Sequence, residues 1–187
     1  MKRQLTVGLG IAVVALTIPL TSKLPVVANL FGTGWAIARS MQHPKLQLNL
    51  VGEKQVIGKD AQGKEVVSWK SENKLTVQPG DVLRYRLLAK NEGDRPIRNL
   101  TLNQPIPQGT VFILKSAKAS AVTAQVTYSI DGGRTYSANP TVQVRLPNGK
   151  VENRPAPAEA YTHIRWDLPG SLPARTSVNA EYQVRVR

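Results

Sequence analysis

An all-β fold, an immunoglobulin-like antiparallel β-sandwich behind an N-terminal signal or anchor helix, is predicted by three features of the 187-residue sequence. From Lys45 onward apolar residues recur at every second position, the period of a half-buried strand. Turn-forming residues separate those runs at near-regular intervals. The one long apolar run lies at the start, behind a basic head.

Residues 1–38 read as an address. Met1-Lys2-Arg3-Gln4 is a short positive head and residues 5–20 are an apolar run with Pro19 near its end, the layout of a secretory signal. Ala36-Ile37-Ala38 before Arg39 is the preferred cleavage point, because Ala-x-Ala matches the small-residue rule and Arg39 opens the polar part of the chain. Val26-Val27-Ala28 gives an alternative, with cleavage after residue 28. An uncleaved anchor is the third reading: residues 5–38 hold a single charge, Lys23, and about 20 apolar residues span a bilayer. All three export residues 39–187 as a single β-sandwich domain, periplasmic or at the cell surface. Membrane contact is expected only through an uncleaved N-terminal segment.

The strands follow in order. Leu46, Leu48 and Leu50 alternate with Gln47 and Asn49; Leu83, Tyr85, Leu87 and Ala89 alternate with Arg84, Arg86, Leu88 and Lys90. Ile164, Trp166 and Leu168 alternate with Arg165 and Asp167, and Val178, Ala180, Tyr182, Val184 and Val186 with polar neighbours. Shorter strands are predicted at 66–69, 100–102, 111–114, 126–130 and 142–146. Between them stand Pro79-Gly80-Asp81, Asn91-Glu92-Gly93-Asp94, Pro105-Ile106-Pro107-Gln108-Gly109, Asp131-Gly132-Gly133, Pro147-Asn148-Gly149 and Pro169-Gly170, residues that supply positive φ or a pre-set φ where a chain reverses. Trp166, Tyr85 and Tyr182 are the candidates for the bulky core between sheets. Arg154-Pro155-Ala156-Pro157-Ala158 reads as a stiff loop, since too few residues follow it to form a second domain.

Three of these stretches carry a resemblance: Val77-Gln78-Pro79-Gly80-Asp81-Val82-Leu83-Arg84-Tyr85, then Asn91-Glu92-Gly93-Asp94-Arg95-Pro96, then Pro105-Ile106-Pro107-Gln108-Gly109-Thr110-Val111-Phe112. Together they resemble the bacterial surface module called domain of unknown function 11, over roughly residues 74–187. The resemblance implies an immunoglobulin-type sandwich and transfers no catalytic residue. Single-module versions look similar to cyanobacterial exported proteins, which adds the thylakoid lumen as a compartment.

Composition excludes several chemistries. The chain has no cysteine, which removes thiol catalysis, thiolate metal sites and disulfides. The acids are scattered without an Asp-x-Asp-x-Asp run, so no calcium site is expected. No Gly-rich phosphate loop opens a helix. No cofactor is therefore expected. Five tyrosines and three tryptophans, mostly needed in the core, leave no stacking platform for nucleic acid. His163 falls on the outward side of its strand, and no nucleophile elbow accompanies it or His43. Ser129-Ile130-Asp131-Gly132-Gly133-Arg134-Thr135-Tyr136 resembles the Asp-box of sialidases with Tyr136 in place of Trp. It is read as turn chemistry, because a propeller needs many copies.

What remains is charge. Three of the 25 basic residues, Lys2, Arg3 and Lys23, precede residue 39, so residues 39–187 carry 22 against 12 acids, or +10. Such a surplus attracts anionic surfaces. If the last two strands pair, Arg165, Arg185 and Arg187 gather into one patch suited to phosphate or carboxylate, with Arg84, Arg86 and Lys90 on the opposite sheet. The sequence thus predicts a non-enzymatic interaction or structural protein of the bacterial envelope. Its partner would be an anionic polysaccharide, lipid or protein. A glycan-modifying or hydrolytic enzyme, drawing on Asp131 and His163, is the alternative.

Overall fold

The computed structural model describes residues 45–71, 76–121 and 123–187. The predicted signal segment, both predicted cleavage points and His43 lie outside the described residues. The described residues form eleven strands, β1 (Leu46–Lys59), β2 (Glu65–Lys70), β3 (Val82–Asn91), β4 (Ile97–Pro105), β5 (Thr110–Phe112), β6 (Lys118–Ala119), β7 (Gln125–Ser129), β8 (Thr141–Arg145), β9 (Val151–Pro155), β10 (His163–Leu172) and β11 (Ser177–Val186). All pairings among them are antiparallel. The large sheet runs β2-β1-β3-β11-β5, with β6 also on β11; the small sheet runs β4-β10-β7; β8 and β9 pair only with each other.

One apolar core joins the large and small sheets. Leu83, Tyr85, Leu87 and Ala89 of β3 and Val178, Ala180, Tyr182 and Val184 of β11 meet Leu100 and Leu102 of β4 and Ile164 and Trp166 of β10. These are the alternate positions that the sequence period selects. Trp166 is fully buried. Its ring lies 6.1 Å from that of Tyr182, which stacks on Tyr85 at 5.3 Å, so three aromatics bridge the two sheets. A one-residue slip of β10 would bury His163, Arg165 and Asp167 instead. A second cluster, Phe112 with Tyr128 and Tyr161 at 5.5 and 5.4 Å, fills the end beside β5.

Turn chemistry fixes the connections. Buried Asn91 ends β3 with its Nδ2 facing the carbonyls of Arg95, Leu172 and Pro173, while its Oδ1 accepts from the Gly93 N–H. One amide side chain therefore ties the β3–β4 loop to the β10–β11 loop. Asp60 Oδ1 accepts from the N–H groups of Gln62 and Lys64 and closes the β1–β2 hairpin.

Three expectations are corrected, and one strand proves longer than its alternating run. The last two strands do not pair: β10 belongs to the small sheet and β11 to the large one, because the Pro173–Thr176 connection, with Arg175 at φ 61, crosses between sheets. Pro169-Gly170 does not reverse the chain. It forms an irregularity inside β10, where the register with β4 shifts between Leu168 and Ser171. Arg154-Pro155 is the end of β9 and not a loop, since β8 supplies a ladder partner for it. The first strand continues to Lys59, because β2 replaces β3 as its neighbour beyond Lys54.

Candidate functional site

The Asp131 turn is the most heavily hydrogen-bonded loop on the small sheet. β7 ends at Ser129, and the chain folds back so that Asp131 Oδ1 accepts from the Ser129 hydroxyl at 2.6 Å and from the Arg134 and Thr135 N–H groups at 3.1 and 2.9 Å. Asp131 Oδ2 accepts from the Thr135 hydroxyl at 2.6 Å. Ser129, Thr135 and the loop backbone together hold the carboxyl well below the usual carboxylate range, with the Ser129 bond the largest cause. Gly132 and Gly133 take φ 75 and 85, which the tight tip requires. A Cβ at Gly133 would also stand 3.2 Å from the Tyr136 hydroxyl and 3.4 Å from the His163 ring. Among the described residues His163 Nδ1 has one hydrogen-bond partner, the neighbouring Thr162 hydroxyl at 3.2 Å. Asp131, Ser129 and His163 are thus part of how the loop packs on the sheet.

That loop delivers Tyr136 onto the outer side of the small sheet. Cross-strand register places three rows there: Pro105, His163 and Ser129; Asn103, Arg165 and Thr127; Thr101, Asp167 and Gln125. Tyr136 donates its hydroxyl to Asn103 Oδ1 at 2.9 Å, and the Arg165 guanidinium lies 4.2 Å from the centre of its ring. Arg165 Nε donates to Asp167 Oδ2 at 3.0 Å, and the Thr101 hydroxyl donates to Asp167 Oδ1 at 2.9 Å. The Thr127 hydroxyl oxygen is buried in this face without a hydrogen-bond partner among the described residues. β-strand alternation exposes these polar residues; the Asp-box likeness of the loop was the available signal for Tyr136.

The outer side of the large sheet carries the other arginines. Arg84 pairs across β3 with Glu53 of β1 and Gln183 of β11, and Arg86 with Val51 and Glu181. Glu53 is nearly buried and takes both cations: Arg84 Nε donates to Glu53 Oε2 at 2.7 Å and Arg86 Nη2 lies 3.1 Å from Oε1. Trp69 of β2 caps Arg84, with the guanidinium 4.3 Å from its ring centre. Sequence reasoning missed Glu53 and Trp69, since partners across a strand are invisible until pairing is known.

The predicted Arg165, Arg185 and Arg187 patch is split. Arg165 sits on the small sheet, paired with Asp167. Arg185 sits on the large sheet between Val82 and Val111, on the same outer side as Arg84 and Arg86, which the sequence had placed opposite. Arg187 follows two residues later, its N–H donating to the Gly109 carbonyl at 2.9 Å. Both are exposed, and among the described residues neither takes part in an ion pair. No group of three or more metal-ligating side chains occurs among the described residues. No protein-family model, curated protein or solved structure matches the chain.

Proposed function

We propose that the chain is an exported, non-enzymatic binding module of the bacterial envelope, an immunoglobulin-like sandwich of the kind represented by domain of unknown function 11. The two sheets sharing one core favour that fold type, and the N-terminal segment favours export to the periplasm, cell surface or thylakoid lumen. The carrying observation is that the side chains with chemical potential are already used: Asp131 is spent on four hydrogen bonds within its own turn. A general base must instead reach a substrate proton. The glycan-modifying alternative depends on that residue and on His163, whose ring hydrogen-bonds Thr162 alone among the described residues.

The partner is an anionic envelope component, and the corner formed by Arg185 and Arg187 meets it. On β3 and β10 the outward guanidiniums are compensated, Arg84 and Arg86 by Glu53 and Arg165 by Asp167, whereas Arg185 and Arg187 stand two residues apart at one end of β11 with no ion-pair partner among the described residues, a spacing that the single exposed Arg98 of β4 and Arg145 of β8 lack. Only an uncompensated cation gains fully from a new anion.

Envelope polysaccharide incubated with the full chain provides the test of the non-enzymatic reading. Co-sedimentation without release of reducing ends is the expected result. Release that disappears in His163→Ala or Asp131→Ala would establish the enzyme instead.

A further inference from the structure

The irregularity in β10 opens a notch at one end of the outer polar face of the small sheet. Continuous pairing with β4 stops at Leu168 and resumes at Ser171, and Gly170 there takes φ 95. Opposite, Asn99 adopts φ 50, a left-handed conformation that Asn tolerates better than most residues. Bulges of this sort re-aim side chains and interrupt pairing beside binding sites. The resulting hollow has a volume of about 220 Å³, with Asn99, Thr101, Gln125 and Asp167 as its polar lining and Leu168 and Pro169 as apolar lining. It is smaller than the roughly 300–1,000 Å³ pockets that enclose drug-sized ligands. One ring fits such a space, with the rest of a polymer left in solvent.

The chemistry of the lining selects the ring. Asp167 supplies carboxylate oxygens, each already accepting one hydrogen bond, from Thr101 and from Arg165, and each retaining further acceptor capacity. Asn99 and Gln125 offer amides that both donate and accept, while the Thr101 hydroxyl, its proton given to Asp167, is left as an acceptor. Arg165, two residues along the strand and about 7 Å away, is held in place between Tyr136 and Asp167. The array is balanced in charge, so it has no excess cation for a phosphate or uronate, and Asp167 would repel one. Hydroxyl groups, donors and acceptors at once, match it. The exposed Pro169 ring suits the C–H face of a sugar ring.

We infer that this notch is a binding subsite for a neutral saccharide unit with adjacent hydroxyls, such as a hexose of an envelope or extracellular glycan. The site is separate from the Arg185 and Arg187 corner and stands without it. A glycan carrying both neutral and acidic units would engage the two through different forces.

The test is a titration of the full chain with short neutral oligosaccharides in gluco, manno and galacto configuration, followed by NMR of the Asn99 and Gln125 side-chain amides. Saturable shifts are expected with at least one sugar, at physiological and at high salt alike. Asp167→Ala should weaken that binding about tenfold, the cost of one hydrogen bond to a charged group, and Asp167→Asn should restore part of it. Because Asp167 is a surface group whose ion pair is worth little, the melting temperature of both variants should stay near wild type. No saturable shift with any sugar, or wild-type binding by Asp167→Ala, would overturn the inference. Loss of the anionic binding proposed above leaves these shifts unchanged, so the two readings fail independently.

Discussion

Asp131 and Trp166 show how much of the account depends on single side chains. An unfolded Asp titrates near pH 4, whereas Ser129 and Thr135 hold folded Asp131 below its usual range. Its contribution is therefore fully present above about pH 4 and is lost as pH falls from there toward the lowered folded value. Asp131→Asn removes that titration, so urea midpoints of the wild type should drop more steeply below about pH 4 than those of the variant. Parallel curves would show that the carboxylate is not held as described. Trp166 presents a different balance, because its fully buried ring carries an Nε1–H with no partner among the described residues. Trp166→Ala should cost about 3–5 kcal/mol through the cavity it leaves. Trp166→Phe should cost less than half as much, since it also removes an orphaned donor whose burial costs about 1–3 kcal/mol. Chemical denaturation of both variants checks this, and equal losses would mean the indole N–H is satisfied.

Strands and turns divide into what period reveals and what only pairing reveals. The inward sets of β3, of β10 as far as Leu168 and of β11 are legible because every second residue in each is apolar, and the register places Tyr85 beside Tyr182. Which strand lies beside which is another matter. Sequential strands tend to neighbour each other, so β10 and β11 were expected to pair. The short Pro173–Thr176 link instead carries the chain from one sheet to the other, and that single crossing dispersed the predicted arginine patch. Pro169-Gly170 was legible as special backbone but not as a bulge, since the same residues serve a reversal and an in-strand irregularity. The Asn91 turn was legible as a turn, while the three carbonyls it faces come from two loops distant in sequence. Asn91→Ala should strand those carbonyls and cost about 2–3 kcal/mol. A melting temperature unchanged from wild type would place their hydrogen bonds elsewhere. By contrast, β8 and β9 pair only with each other, and replacing residues 141–155 with a short Gly-Ser turn should leave the cooperative unfolding transition in place. Its loss on excision would show that the hairpin props up the small sheet.

For the whole molecule, the proposed export and the charge make separate demands. Protein recovered from the envelope should begin at Arg39 or, by the alternative cleavage, at Asn29; an intact Met1 would establish the anchor. The net +10 of residues 39–187 guarantees some attraction to any polyanion, so binding alone does not distinguish a site from a field. Within a Debye length of about 8 Å at physiological salt, a site should respond to where a charge is removed and a field only to how much. The deciding measurement compares Arg185→Glu/Arg187→Glu with Arg145→Glu/Lys150→Glu, an identical change of charge on the remote β8–β9 hairpin. Binding to anionic envelope polysaccharide at physiological salt should fall at least tenfold more in the first pair than in the second. Equal loss in both, vanishing together as salt is raised, would contradict a binding corner at Arg185 and Arg187.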